Sequence, residues 1–232
     1  MVALFPGGFE EVELEDGRVE LAAYADGDAE ALLRGALGPC RTEEVEPGWS
    51  ETWKRFHRPV RVGPLWIGAP WHDADPDAAA VVIEPGLAFG TGSHPTTRLS
   101  LELVLAFAPS TLVDLGCGSG VVAIAAARLG ARPVFALDVD PLAVAAARAN
   151  SAANRVAVEV RAGDVLEEAL PDAELAVANI ALGVVAELLP RLPSRFVATS
   201  GYLAHERPQA RGWEALERRT LDGWAADLLA RR

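Results

Sequence analysis

The sequence predicts a doubly wound α/β fold, and three observations predict it. From about residue 80 onward, strand-like apolar runs alternate with helical runs. Those strand runs are apolar at nearly every position, the pattern of a parallel sheet covered by helices on both faces. One of them, TLVDLG, passes through a glycine-rich turn straight into a helical run, the strand-turn-helix unit that builds ligand sites in open α/β sheets.

Over residues 9 to 46, FEEVEL and RVELAAY alternate like strands around Asp16-Gly17, DAEALLRGAL reads as a helix ending near Gly38, and TEEVE as a short strand. This is a small α+β module, thin for independent stability. Residues 49 to 57 read as a helix with Trp49 and Trp53 four apart, and 58 to 79 as a structured connector around LWIGA, its tryptophans serving as packing anchors. AVVIEP is a strand. PTTRLSLELVLAFA is a helix opened by Pro95, with Leu101, Val104, Leu105 and Ala108 on one face. TLVDLG is a strand, VVAIAAARLG a helix closed by Gly130, PVFALDV a strand, and DPLAVAAARANSAAN a helix begun at Asp140 and Pro141. VAVEVRAGD, AELAVANI and RFVATSG supply further strands. The expected domains are a module over 1–48, a linker over 49–79 and a Rossmann-type domain over 80–232.

Composition narrows the chemistry. Half of the 232 residues are apolar and 23% are charged, which suits a globular chain and excludes a disordered or collagen-like one. The net charge of −12 is unevenly placed, because residues 1 to 50 hold 12 Asp/Glu against 3 Lys/Arg. Such a segment repels nucleic-acid phosphates and attracts a basic partner, or is simply a solvated acidic face. The basic residues are 20 arginines and the single Lys54, in WSETWKRF. A P-loop, a pyridoxal-phosphate Schiff base or a Ser-Lys hydrolase would each have to use that lysine, which has no glycine-rich or nucleophile context. His57, His72, His94 and His205 are too scattered for a local zinc motif, and HExxH and GxSxG are absent. Cys40 and Cys117 are expected to be free thiols of a cytoplasmic chain, since MVALFPGGFEE lacks the basic start and apolar core of a signal peptide. Apolar stretches such as VVAIAAA fall far short of the roughly 18 residues of a membrane span.

The chemistry-bearing residues gather at the ends of the strands. In VDLGCGSG, Gly116, Gly118 and Gly120 let the chain turn sharply and bring a ligand to a helix N-terminus. The dinucleotide fingerprint needs a further glycine where this chain has Val121. Asp114, two residues before Gly116, would oppose a pyrophosphate but balance the ammonium and sulfonium of S-adenosylmethionine, so the sulfonium cofactor fits better. Asp138 closes the next strand, 22 residues beyond Gly116, where a carboxylate accepts hydrogen bonds from ribose hydroxyls; Asp140, before Pro141, is the better helix cap. Asp164 either receives the adenine amino group or only makes a turn with Gly163. Asn179, at the end of VANI, has an amide oxygen able to accept from an amine and aim its lone pair at a methyl group. It equally suits a helix N-cap, and the two roles are compatible. Ile-Ala-Leu comes directly after Asn179, without the Pro-Pro-aromatic run that stacks planar nitrogens.

Ahead of the first helix of this domain runs EPGLAFGTGSHPTT, long and glycine-rich, which reads as a flap over the cofactor pocket with Phe89 and Gly90 against the ligand. Thr97, in the first helical turn, is placed to donate to the methionine carboxylate. His94 reads first as a cap and second as a general base.

Taken together, EPGLAFGTGSHPTT, VDLGCGSGVVAIAAARLGA, ALDVDP and VANI resemble the bacterial ribosomal-protein methyltransferases that trimethylate amino groups of the eleventh protein of the large ribosomal subunit. LWIGAPWH, SGYL and DGWAADLLARR are similar to that family as well, and the resemblance spans roughly residues 47 to 232. It implies S-adenosylmethionine held at Thr97, Gly116, Asp138 and Asn179, with Asn179 facing the incoming amine, and an N-terminal ferredoxin-like module that binds the ribosomal protein and is joined to the rest of the chain by a helical linker matching WSETWKRF. Two departures stand out. LFPGGFEEVELEDGRVEL matches from the end of the first helix of that module, so its opening strand and most of that helix are expected to be missing. LLPRLPSRFVATSG is shorter than its counterpart. The expected function is an S-adenosylmethionine-dependent N-methyltransferase for protein amino groups, lysine or N-terminal. The alternatives are a methyltransferase for another protein or a small-molecule amine, and an inactive cofactor-binding homologue. A basic protein substrate, no direct nucleic-acid contact, no metal, no membrane span and a monomeric state complete the expectation.

Overall fold

The computed structural model describes residues 57–85 and 90–232 in full, and 10–13 and 19–22 as backbone. The chain divides into two compact units, Met1–Lys54 and Arg55–Arg232. In the first, β1 (Glu10–Glu13) pairs antiparallel with β2 (Val19–Ala22), Glu10 opposite Ala22 and Glu13 opposite Val19. The helices expected within 28–38 and 49–57, and the strand at 42–46, fall outside the described residues, apart from His57 itself.

The second unit begins with three short strands, β3 (Val60–Val62), β4 (Leu65–Gly68) and β5 (Ala79–Val82). They form a separate sheet in the order β3-β4-β5, with β4 and β5 parallel. The strand-like LWIGA of the structured connector is β4, and one sequence expectation is corrected, that AVVIEP joins the alternating strands of the large domain. The small sheet forms because Val62, Leu65, Ile67, Val81 and Ile83 are buried in the same apolar cluster as the helices that come after them.

The large sheet has seven strands in the order β11-β12-β10-β9-β6-β7-β8. Its strands are β6 (Leu112–Leu115), β7 (Val134–Asp138), β8 (Glu159–Ala162), β9 (Leu175–Asn179), β10 (Phe196–Leu203), β11 (Trp213–Leu221) and β12 (Trp224–Arg231). Helix α1 (Pro95–Phe107) precedes β6, and α2 (Val121–Arg128), α3 (Pro141–Ala153) and α4 (Leu182–Leu188) lie between the strands. The central strands alternate in the face they serve. Leu112, Leu175 and Val177 pack with α1, α2 and α3, whereas Val113, Leu115, Ala176 and Ala178 pack with α4. Helix α2 is buried at every position from Val121 to Ala127, as expected of an apolar helix enclosed on all sides.

Five strands, β6 to β10, run parallel, as the sequence predicts. The sheet as a whole is mixed: β12 inserts antiparallel between β10 and β11. The turn joining β11 to β12 has two residues, Asp222 and Gly223, at φ of 48° and 81°, the positive angles that match hairpin twist.

Strand order also fixes where a ligand sits. From β6 the chain steps to β7 and β8 on one side, then returns to place β9 and β10 on the other. The helices leaving β6 and β9 therefore diverge, opening a crevice at the carboxyl ends of these two strands.

Candidate active site

A cavity of about 490 Å³ occupies that crevice. Gly116 and Gly118 form its floor, Asp138 and Asp164 line it beyond β7 and β8, Thr97 and Asn179 lie on the α1 and β9 side, and Gly90 contributes from the preceding loop. The structure thus brings together all the cofactor-site residues singled out from the sequence except Phe89, which lies outside the described residues.

Gly116 has φ of +74°, and a Cβ there would stand 2.3 Å from Ile180 Cγ2, so the close approach of β6 and β9 depends on this glycine. The N–H groups of Gly116 and Cys117 both donate to Leu137 O, at 2.8 and 3.0 Å, tying the turn to β7. The Asp138 carboxylate accepts from Gly118 N at 2.8 Å and from Asp140 N at 3.0 Å, one bond at each oxygen. Its remaining lone pairs are left for a ligand. Asp140 caps α3 by accepting from Leu142 N at 2.9 Å, as predicted. Asp164 accepts from Leu166 N at 2.8 Å while lining the cavity, so it makes a turn and faces the ligand space together.

Asp114 lies beneath the turn, 2% exposed, and accepts from Ala123 N at 3.2 Å. Burial lifts its carboxyl from 3.8 to about 7, with a smaller upward push from the Asp138 charge. Burial also pushes up the Cys117 thiol, with the Asp114 and Asp138 charges adding to the effect, which leaves it protonated and unreactive.

Asn179 Nδ2 makes a long contact of 3.5 Å to Thr97 Oγ1, and Thr97 is itself 1% exposed. Asn179 Oδ1 is buried with no hydrogen-bond partner among the described residues. The residue does not cap α4, whose N-cap is Ala181 without a side-chain bond. An unsatisfied buried acceptor beside a cavity is costly unless a ligand donates to it. Behind it, the Ile180 N–H donates to Ser200 O at 3.2 Å, and Gly201 lies so near that a Cβ would stand 2.3 Å from Ile180 O.

His94 is the N-cap of α1. Its Nδ1 accepts from Thr96 N at 3.3 Å, and its ring meets Trp224 edge-on at 5.0 Å. Partial burial lowers its pKa, and it is not among the cavity-lining residues. The cap role therefore holds. Among the described residues no cluster of His, Cys, Asp and Glu has the makings of a metal site.

Two residues that brace the cavity wall from behind, Ser119 and Asn150, are not evident from the sequence. Ser119 Oγ donates to Gly90 O at 2.6 Å, and Asn150 Nδ2 donates to Ser119 O at 2.9 Å. The available signal is a pair of asparagines four apart, Asn150 and Asn154, on an otherwise alanine-rich helix.

The family profile described as "Ribosomal protein L11 methyltransferase (PrmA)" matches residues 19–207. The ribosomal protein L11 methyltransferase of Symbiobacterium thermophilum is 38% identical over 225 residues, covering 94% of this chain and 73% of that one. The Burkholderia cenocepacia protein of the same name is 41% identical over 212 residues, with 83% and 69% covered. The crystal structure of ribosomal protein L11 methylase from Lactobacillus delbrueckii subsp. bulgaricus superposes with a TM-score of 0.66 at 28% identity, over 76% of this chain and all of that one.

Proposed function

The chain belongs to the ribosomal protein L11 methyltransferase family, and from that premise we propose that it moves methyl groups from S-adenosylmethionine to amino groups of ribosomal protein L11, with Asn179 at the point of transfer. The observation that carries this reading is the buried, unpartnered Asn179 Oδ1 at the carboxyl edge of β9.

The residues present fit the cofactor. When bound, S-adenosylmethionine supplies an electrophilic methyl group on a positively charged sulfur. Asp138 offers free lone pairs to ribose hydroxyls, Asp164 offers an acceptor to the adenine amino group, and Gly116 and Gly118 leave room for close contact. Thr97, at the N-terminus of α1, offers a hydroxyl and the positive end of a helix to the methionine carboxylate. Asp114 supplies a buried carboxylate beneath the turn, whose ionised form is favoured by a cation nearby.

The incoming amine must be neutral to attack. A lysine with an ordinary pKa of about 10.4 loses its proton more readily when it leaves water for a partly closed cavity. Asn179 Oδ1 then accepts one N–H of the amine and aims the nitrogen lone pair along the axis of displacement, a gain in orientation rather than in acid-base chemistry. Thr97 holds the amide in register through its contact with Nδ2.

Recognition of the ribosomal protein is assigned to the acidic N-terminal segment, residues 1 to about 48, on the strength of its charge against a basic substrate. Among the described residues no helix is long and apolar enough to cross a membrane. The test is incubation of the chain with methyl-labelled cofactor and a mixture of large-subunit ribosomal proteins and ribosomal RNA. Label on amino groups of L11 supports the reading; label confined to RNA or to other proteins overturns the substrate assignment.

A further inference from the structure

Helix α3 carries Asn150, and Asn154 stands one turn on at its C-cap; each is 3% exposed. Buried amides are costly unless bonded, and these two are bonded to the outer edge of β5 and its continuation. Ile83 N–H donates inward to Gly68 O of β4 at 2.9 Å, so the backbone groups of residues 82 and 84 face the other way. Asn154 takes both groups of Val82, accepting from its N–H at 2.8 Å and donating to its carbonyl at 2.6 Å. Asn150 divides its amide: Oδ1 accepts from Glu84 N at 3.0 Å, whereas Nδ2 donates to Ser119 O in the glycine turn. Ser119, 2% exposed, sends its own hydroxyl to Gly90 O. Glu84 and Gly90 are thus both tied to one pair of residues, and Gly90 lines the cavity with Gly116 and Gly118.

Resting on the cofactor reading above, we infer that Asn150 and Ser119 are positioning residues for the cofactor, clamping the chain at Glu84 and Gly90 to the glycine turn and thereby setting how tightly the adenosyl ligand is retained. Neither side chain is among those lining the cavity. Asn150 acts through the Ser119 carbonyl and Ser119 through Gly90. Asn154 bonds one step earlier, at Val82, its Nδ2 donating also to Asn150 O within the helix at 2.8 Å, and it touches neither the turn nor Gly90.

That difference supplies the test. In Asn150→Asp the ionised carboxylate still accepts from Glu84 N but cannot donate to Ser119 O, so this variant is assayed above the pH at which the buried carboxyl loses its proton. In Ser119→Ala the tie to Gly90 is lost, together with the longer bond that Ser119 Oγ accepts from Val121 N at 3.3 Å. Each variant should raise the Kd for S-adenosylhomocysteine and the KM for S-adenosylmethionine by about tenfold, the scale of one lost buried hydrogen bond, with kcat at saturating cofactor within about threefold of the parent. Ser119→Thr, which keeps the hydroxyl, should restore affinity. Asn154→Asp makes the same chemical change at the neighbouring anchor; it should lower Tm as Asn150→Asp does and leave Kd within about twofold. If Ser119→Ala binds as the parent does, or if the two Asn→Asp variants move Tm and Kd in step, the clamp is structural only and the inference fails. Absence of S-adenosylhomocysteine binding in the parent chain would instead overturn the cofactor reading itself.

Discussion

The backbone N–H of Gly118 donates to Asp138 Oδ2 at 2.8 Å, so the carboxylate facing the ligand cavity also holds the glycine turn in place. Asp138→Ala removes both functions together. Cofactor affinity should fall by roughly 1 to 3 kcal/mol, measured by titration calorimetry with S-adenosylhomocysteine. Asp138→Asn keeps an acceptor for one backbone donor and should lose less; equal affinity in the alanine variant and the parent would remove Asp138 from the site.

Asp114 predicts a specific dependence of stability on pH. Its carboxyl titrates near 3.8 when unfolded and about 7 when folded, so between those values the folded chain keeps a proton that the unfolded chain has released. This contribution to stability is present below about pH 4 and is lost progressively as pH rises to 7, by up to about 4 kcal/mol. Asp114→Asn has no such proton and can still accept from Ala123 N. Its Tm should gain on that of the parent as pH increases from about 4 to about 7.5, across the span between the two pKa values, whereas parallel curves would show that Asp114 ionises normally.

Gly201 and Gly212 both have positive φ, +100° and +80°, but a Cβ at Gly201 would meet Ile180 O at 2.3 Å and one at Gly212 would meet nothing within 4 Å. Gly212→Ala should therefore cost only the backbone strain, about 1 to 2 kcal/mol of stability. Gly201→Ala should add a loss of turnover, because Ile180 directly follows Asn179 and must shift. Unchanged kcat in Gly201→Ala would disconnect this contact from the site.

Asp227 is buried on β12, in the antiparallel part of the sheet, accepting from Arg218 Nη1 at 2.7 Å and from Tyr202 OH at 2.8 Å. Arg218→Met leaves that carboxylate without its charged partner and should destabilise the fold by about 3 kcal/mol in chemical denaturation. Cofactor affinity should not change, since the network is distant in sequence and strand order from the glycine turn; a matching loss of affinity would contradict that separation.

The glycine turn, Asp138 and Asn179 are legible because a parallel α/β sheet presents the ends of its strands at one edge, and each of these residues terminates or follows an apolar strand run. Capping is equally legible for Asp140 and His94, since the signal is local. Asn150 and Ser119 are hidden, because the pair of asparagines four apart does not by itself distinguish a solvent-facing side chain from one bonded to Glu84, 66 positions earlier. The β11 and β12 hairpin is easily missed although Asp222-Gly223 is a strong turn signal, since WEALERRTL lacks the continuous apolar character of the central strands and its outer strand is largely exposed. The pairing of β4 with β5 depends on burial against the helices of the large domain and has no periodic signature.

Asn179→Ala measures the central claim most directly. With S-adenosylmethionine and L11 at saturation, transfer of a labelled methyl group should slow by about a hundredfold, the scale expected from losing orientation at the reacting centre, while the Kd for S-adenosylhomocysteine changes only severalfold. Turnover equal to that of the parent, or a loss of rate fully matched by lost cofactor binding, would contradict the assignment of Asn179 to the orientation of the amine.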